Sequence, residues 1–334
     1  MKCAMISAEE NQLPPEIPPQ LRNAGMELIC RKCETSDELA EFASDADILW
    51  MFGANPALTE GVLDRLPNCR VLLRNGSGVD ALPLKRAGEL GIAVLNTPES
   101  IAEAVAEHAV ALIFSLLRRI PMLDREVRSG VWDSGNRPEL GQVRGRTLGL
   151  VGYGRIARHV ERMLSGFRMN ILHFDPFVPD SMELERLLQE SDIVSLHCPL
   201  TESTRHLMNE ERFALMKPGA LLVNTSRGGV VDESALLEAL GSGHLAGAAL
   251  DVTDPEPPSV SNALFAMENV IFTPHIAAFS PDFEKDFWQC AADLLLRLES
   301  GADYRAMSVI PLSCRQNGPS SSRTENNVER RAAG

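Results

Sequence analysis

The chain has 334 residues, 44% hydrophobic and 23% charged, and at about 150 residues per domain this is the make-up of a two-domain globular protein. Lysine and arginine total 32 against 46 acidic residues, so the formal charge is −14, which repels phosphate backbones and anionic lipid and excludes nucleic acid and membrane as general partners. The seven cysteines are irregularly spaced and follow no signal peptide, which points to a reducing cytoplasm.

From Met1 to about Leu95, short apolar runs alternate with helical patterns. KCAMIS, MELICRK, DILWMFG, CRVLLRNG and IAVLN read as strands, with PPQLRNAG, SDELAEFAS, TEGVLDRLP and PLKRAGELG as helices between them. This alternation predicts a parallel sheet covered by helices. Cys30-Arg-Lys-Cys33 has redox or zinc-knuckle spacing, but no second pair completes a zinc site and Cys30 ends an apolar run, so no metal is expected.

Residues 102–120 follow as a long helix whose middle is apolar almost all round. Its uninterrupted apolar part is too short for a bilayer, which predicts burial at a domain or subunit interface. A second alternating series starts near Thr147: TLGLVGYG, NILHFD, DIVSLHC, ALLVNTS, GAALDV and VIFTPH are its strands. Helical sequence returns in DFEKDFWQCAADLLLRLESG, and the polar, Gly/Ser-rich residues after about Leu312 are expected to be a flexible tail.

The strand TLGLV runs into Gly152-Tyr-Gly154-Arg-Ile-Ala157 and then a helical segment, the strand–turn–helix setting that a G-x-G-x-x-[GA] dinucleotide fingerprint requires. Gly152 serves the tight turn, Gly154 lets a pyrophosphate approach, and Ala157 allows close helix–strand packing. The next strand ends in Asp175, 23 residues beyond Gly152. A carboxylate there binds ribose hydroxyls and repels a 2′-phosphate, and no Arg or Lys follows in DPFVPD, so NAD is expected rather than NADP.

In an open α/β sheet, ligands bind beyond the carboxyl ends of the strands. Here those ends carry His197-Cys198-Pro199, residues 224–229, Asp251-Val252 and His275. An Arg, an acidic group and a His converging on one edge suit hydride transfer at a hydroxy acid: a base near neutrality, a carboxylate to orient it, and a guanidinium for the substrate carboxylate. His159, His206 and His244 lie outside this edge and are expected to have no catalytic role.

RNGSGVD (74–80), GYGRIA with Asp175, LHCPLTEST (196–204), KPGALLVNTSRGGVVDESAL (217–236), GAALDVTDPEPP (247–258) and TPHIA (273–277) occur in that order. Together they resemble the D-isomer-specific 2-hydroxyacid dehydrogenases, over roughly residues 40–310, and look most like the branch containing C-terminal binding protein and its bacterial relatives. The resemblance implies Arg227, Glu256 and His275 as catalytic residues, and Arg74, Ser77, Gly78 and Arg227 as substrate-binding residues. It also implies cofactor contacts from Gly152, Gly154, Arg155, Ile156, Asp175, Cys198, Pro199, Thr225, Ser226, Asp251 and Ala277.

The implied fold is two doubly wound parallel-sheet α/β domains with a cleft between them. Residues 1–97 plus 283–312 would form a flavodoxin-like substrate domain, 98–282 a Rossmann NAD-binding domain and 313–334 a tail, with helix 102–120 forming a homodimer. The implied function is NAD-dependent, reversible interconversion of a small 2-hydroxy acid and its 2-keto acid. The alternatives are an NAD(H)-sensing binding protein of the corepressor type and a phosphoglycerate dehydrogenase. Trp50, Met51, Phe52 and Gly53 follow the third strand, where phosphoglycerate-using relatives carry basic residues. An apolar wall there suits an uncharged or aromatic substituent, and Phe279 adds bulk after His275.

Overall fold

The computed structural model describes residues 1–132, 140–280 and 283–313. The stretch expected to be a tail lies, from residue 314 on, outside the described residues. The first series is β1 (Lys2–Met5), α1 (Ile17–Asn23), β2 (Glu27–Cys30), α2 (Ser36–Phe42), β3 (Ile48–Met51), α3 (Glu60–Leu63), β4 (Val71–Arg74), α4 (Leu84–Glu89) and β5 (Ala93–Asn96). Its strands form a parallel sheet in the order β2-β1-β3-β4-β5.

Alternation along each strand sorts the side chains onto two cores, as a period of two demands. Met5, Ile48, Trp50, Leu73 and Leu95 belong to one core and Ala4, Leu49, Met51, Leu72 and Val94 to the other. Thr35 caps α2 by accepting from Glu38 N, and Glu38 returns the bond to Thr35 N, which fixes where that helix starts.

Next come α5 (Glu99–Leu117) and α6 (Ile120–Arg128). The helix expected over 102–120 therefore starts and ends earlier. Pro121 has no N–H to donate to the helical ladder and Arg119 turns left-handed at φ 51°, so the chain breaks and restarts. Among the described residues α5 is long and apolar enough to cross a membrane, at mean hydropathy 1.6, and half of that stretch is buried in the fold. None of α6 is buried.

The second series is β6 (Thr147–Val151), α7 (Arg155–Leu164), β7 (Asn170–Phe174), α8 (Leu184–Glu190), β8 (Ile193–Leu196), α9 (Glu210–Leu215), β9 (Ala220–Asn224), α10 (Glu233–Gly241), β10 (Leu245–Leu250) and β11 (Val270–Phe272). Its parallel sheet has the order β11-β10-β9-β8-β6-β7. Leu148, Leu150 and Val223 pack under α5 and α7, while Val151, Leu196 and Leu222 pack under α8 to α10. The winding reverses between β1 and β3 in one sheet and between β6 and β8 in the other, and crevices open at such switch points.

A last helix, α11 (Phe283–Glu299), returns to the first sheet, where Trp288, Ala291, Leu295 and Leu298 join its core. The Met1 ammonium pairs with Glu299 at 2.7 Å, and Val309 N donates to Val94 O at 2.9 Å. Trp50 and Met51 are fully buried in opposite cores of the first sheet. They are not the cleft wall expected of them, because β3 is a central strand and runs on through Met51. Phe52 and Gly53 alone of that group emerge from it.

Candidate active site

The glycine loop sits at the switch point between β6 and β8. Gly152 has φ +86°, and a Cβ there would lie 2.6 Å from Cys198 N and 2.8 Å from Cys198 Cα, so only glycine fits. A Cβ on Gly154, the N-cap of α7, would meet nothing within 4 Å, which leaves the unpaired N–H groups of the helix open to an approaching phosphate. Ala157 is fully buried against the sheet. Arg155 reaches back to Glu99 at 2.7 Å, and Ile156 packs against the α5–α7 core.

Asp175 follows β7, and its carboxylate accepts from Tyr153 N and Phe177 N at 2.9 Å each. The acidic group is thereby tied to the glycine loop. The Tyr153 ring stacks on His173 at 3.9 Å. Across β8, Cys198 is buried, which pushes its thiol up to about 11, and the exposed Pro199 accepts from Thr204 through its carbonyl at 2.6 Å. Burial pushes His197 down to about 4, and its Nδ1 is enclosed without a partner.

At the end of β9, Thr225 Oγ1 is buried with no hydrogen-bond partner, and an orphaned hydroxyl of this kind calls for a ligand group. Ser226 is held by Asn224 Oδ1, to which its N and Oγ donate at 3.0 and 2.8 Å. A forced glycine turn, an open helix N-terminus, a carboxylate at the next strand end and an orphaned hydroxyl at β9 fit a dinucleotide.

The strand-end residues beyond β10 and β11 form a second cluster. Asp251 is only 2% exposed. It accepts from Thr273 Oγ1 at 2.5 Å, Ile276 N at 3.0 Å and Ala277 N at 3.0 Å. Both of its oxygens are thus committed to holding the loop that carries His275. That histidine has φ 52°, a conformation costly for a residue with a Cβ. Its amide donates to Asp251 O at 2.8 Å.

His275 Nδ1 meets Glu256 Oε2 at 2.7 Å. The Glu256 hydrogen bond and charge hold His275 above the ordinary imidazole value, against burial and the Arg227 charge. Burial would push Glu256 up, but His275, the Thr253 amide and Arg227 together hold it below the usual carboxylate range.

Arg227 donates through Nε to Asp80 at 3.0 Å and through Nη1 to the Ser226 carbonyl at 2.7 Å. Its guanidinium lies where a Cβ on Gly78 would stand, 1.6 Å from Nη2, so the RNGSGVD loop meets it without a side chain. Arg74 donates to the carbonyls of Gly53 and Gly78. Ser77 O accepts from Asn96 Nδ2 at 2.7 Å, and among the described residues the Ser77 and Gly78 amides donate to nothing. Two free amides beside two guanidiniums suit an anion. Among the described residues no group of three His, Cys, Asp or Glu is placed to hold a metal ion.

Asp80, which closes the RNGSGVD motif, is the partner of Arg227, and nothing in its local sequence announces that role. His108 likewise has no motif around it. Its Nε2 lies 3.0 Å from Thr273 Oγ1 and 3.7 Å from Asp251 Oδ1, so α5 braces the same loop.

The sequence profile of the D-isomer specific 2-hydroxyacid dehydrogenase NAD binding domain matches residues 110–277. Glyoxylate reductase of Korarchaeum cryptofilum is 40% identical over 275 residues, 79% of this chain and 82% of that protein. D-3-phosphoglycerate dehydrogenase of Methanocaldococcus jannaschii is 36% identical over 277 residues, 80% of this chain and 52% of that protein. Among solved structures, D-lactate dehydrogenase of Aquifex aeolicus, complexed with NAD and lactic acid, matches with a TM-score of 0.79 at 27% identity, covering 96% of this chain and 100% of the other. The chain therefore belongs to the D-isomer specific 2-hydroxyacid dehydrogenase family, as an NAD-dependent oxidoreductase that acts on CH–OH donors.

Proposed function

We propose that this chain interconverts a small 2-keto acid and the corresponding D-2-hydroxy acid, with His275, Glu256 and Arg227 as its catalytic residues. The observation that carries the reading is the 2.7 Å contact of His275 Nδ1 with Glu256. It leaves Nε2 as the nitrogen that exchanges a proton with substrate. NAD(H), when bound, supplies or takes up the hydride equivalent at C2. In reduction, protonated His275 gives its Nε2 proton to the carbonyl oxygen, and in oxidation the neutral ring takes that proton back. Glu256 fixes the ring and favours its charged form. Arg227 binds the substrate carboxylate and polarises the carbonyl, while the Ser77 and Gly78 amides, with Arg74 beside them, hold the carboxylate's other oxygen.

On this reading residues 1–97 and 283–312 make the substrate domain and 98–282 the NAD domain, with Gly152, Gly154, Arg155, Ile156, Asp175, Cys198, Pro199, Thr225, Ser226 and Ala277 around the cofactor. Asp251 contributes by holding the His275 loop. The protein works as a cytoplasmic homodimer. Free thiols at all six described cysteines support the reducing compartment. The helix α6, none of whose residues is fully buried, the exposed Trp132 and a groove of about 930 Å³ beside Leu116, Met122 and Phe272 support a partner surface. A phosphoglycerate dehydrogenase reading has the Methanocaldococcus relative and Arg74 in its favour. The test of catalysis is NADH oxidation with a 2-keto acid in large excess over enzyme: many turnovers per chain support the reading, and a single equivalent bound without turnover refutes it.

A further inference from the structure

Four phenylalanine rings form a continuous strip from the segment after His275, along the start of α11, to the end of β3. Phe279 lies 5.1 Å from Phe283, Phe283 lies 4.8 Å from Phe287, and Phe287 lies 6.2 Å from Phe52, centroid to centroid. One end of the strip is four residues past His275. At the other end, Phe52 adjoins Gly53, whose carbonyl accepts from Arg74 at 3.3 Å. The strip therefore runs from the proton-transfer loop to the loop that holds the carboxylate. Phe52 and Phe287 are fixed by Trp288, at 5.3 and 5.5 Å, whereas Phe279 is 68% exposed.

The charges around the strip point the same way. Arg227 is engaged by Asp80 and the Ser226 carbonyl, and Arg74 by two backbone carbonyls. The only cation in the first turn of α11, Lys285, is flanked by Glu284 and Asp286. One substrate carboxylate can draw on the two guanidiniums, but a phosphate as well would meet ring faces and acidic neighbours, an environment that penalises a dianion. An apolar group would gain buried area and edge-to-face contacts.

We propose that the strip binds an aryl or branched-alkyl substituent on C3 of the 2-keto acid, making the chain a dehydrogenase of bulky apolar 2-hydroxy acids. The proposal rests on the catalytic reading above. Its test compares kcat/KM with NADH for phenylpyruvate, 2-ketoisocaproate, glyoxylate and 3-phosphohydroxypyruvate. Phenylpyruvate and 2-ketoisocaproate should exceed glyoxylate by at least ~10–200-fold, the range that one or two apolar carbons are worth in a fitted pocket, and 3-phosphohydroxypyruvate should be the poorest. Phe279→Ala, at an exposed ring whose loss leaves the fold intact, should lower the phenylpyruvate-to-glyoxylate ratio about tenfold, and Phe52→Leu should lower it in the same direction. Glyoxylate or 3-phosphohydroxypyruvate as the best substrate, or an unchanged ratio in both variants, overturns the proposal and leaves the dehydrogenase reading standing. NADH binding with no turnover of any of the four overturns both.

Discussion

Asp251→Ala removes a buried carboxylate that receives the Thr273 hydroxyl at 2.5 Å and the Ile276 and Ala277 amides at 3.0 Å each. Hydrogen bonds to a charged acceptor contribute about 1.5–3 kcal/mol each. In the variant the part-buried Ile276 amide can turn to water and the Thr273 hydroxyl to His108, 3.0 Å away. The buried Ala277 amide has neither outlet, so a net loss of about 2–4 kcal/mol is expected. For a domain of this size that lowers Tm by roughly 5–10 °C. The same loop presents His275, and a displacement near 1 Å costs about 10²-fold in rate, so kcat should fall by that order as well. Asp251→Asn retains one acceptor oxygen and should lie between the two. Thermal unfolding and steady-state reduction of a 2-keto acid measure both effects. A Tm within about 2 °C of wild type together with unchanged kcat would show that Asp251 does not hold the loop.

Glu256→Gln removes the carboxylate that raises His275, so the histidine pKa falls. Reduction needs the protonated ring, and the pH above which the reductive kcat declines should therefore move to lower values; an unmoved limb would break the pairing. Asp175→Ala should raise the KM for NADH and narrow the gap to NADPH, since a carboxylate at the strand end disfavours a 2′-phosphate; equal use of both cofactors by the wild type would remove that role. Light scattering should give about twice the 36.5 kDa chain mass, and a monomer at micromolar concentration would contradict the partner surface.

Elements with local signatures were legible in the sequence. The period-two runs gave all five strands of the first sheet, and the glycine loop with Asp175 fell at a switch point because turn, helix start and acidic strand end lie close together in the chain. His275 and Glu256 are 19 residues apart and were readable as motif neighbours. What stayed hidden depends on distant partners. Asp80 and Arg227 are 147 residues apart and His108 and Thr273 are 165 apart, and no local pattern announces either pair. The early end of α5 followed from Pro121 and the left-handed Arg119, which the apolar run masked. Trp50 looked like a cleft residue by its place after a strand run, but its ring is buried and its indole N–H donates to Asn75 at 2.6 Å.

The role of His275 as proton donor and acceptor is tested most directly by kcat of His275→Gln, measured alongside NADH affinity. Gln keeps a polar group of similar reach but cannot carry a titratable proton. The expected result is a loss of about 10²–10⁴ in kcat with NADH binding retained, because the glycine loop and Asp175 lie on other strands. A variant that binds NADH and reduces the keto acid at close to the wild-type rate would contradict it.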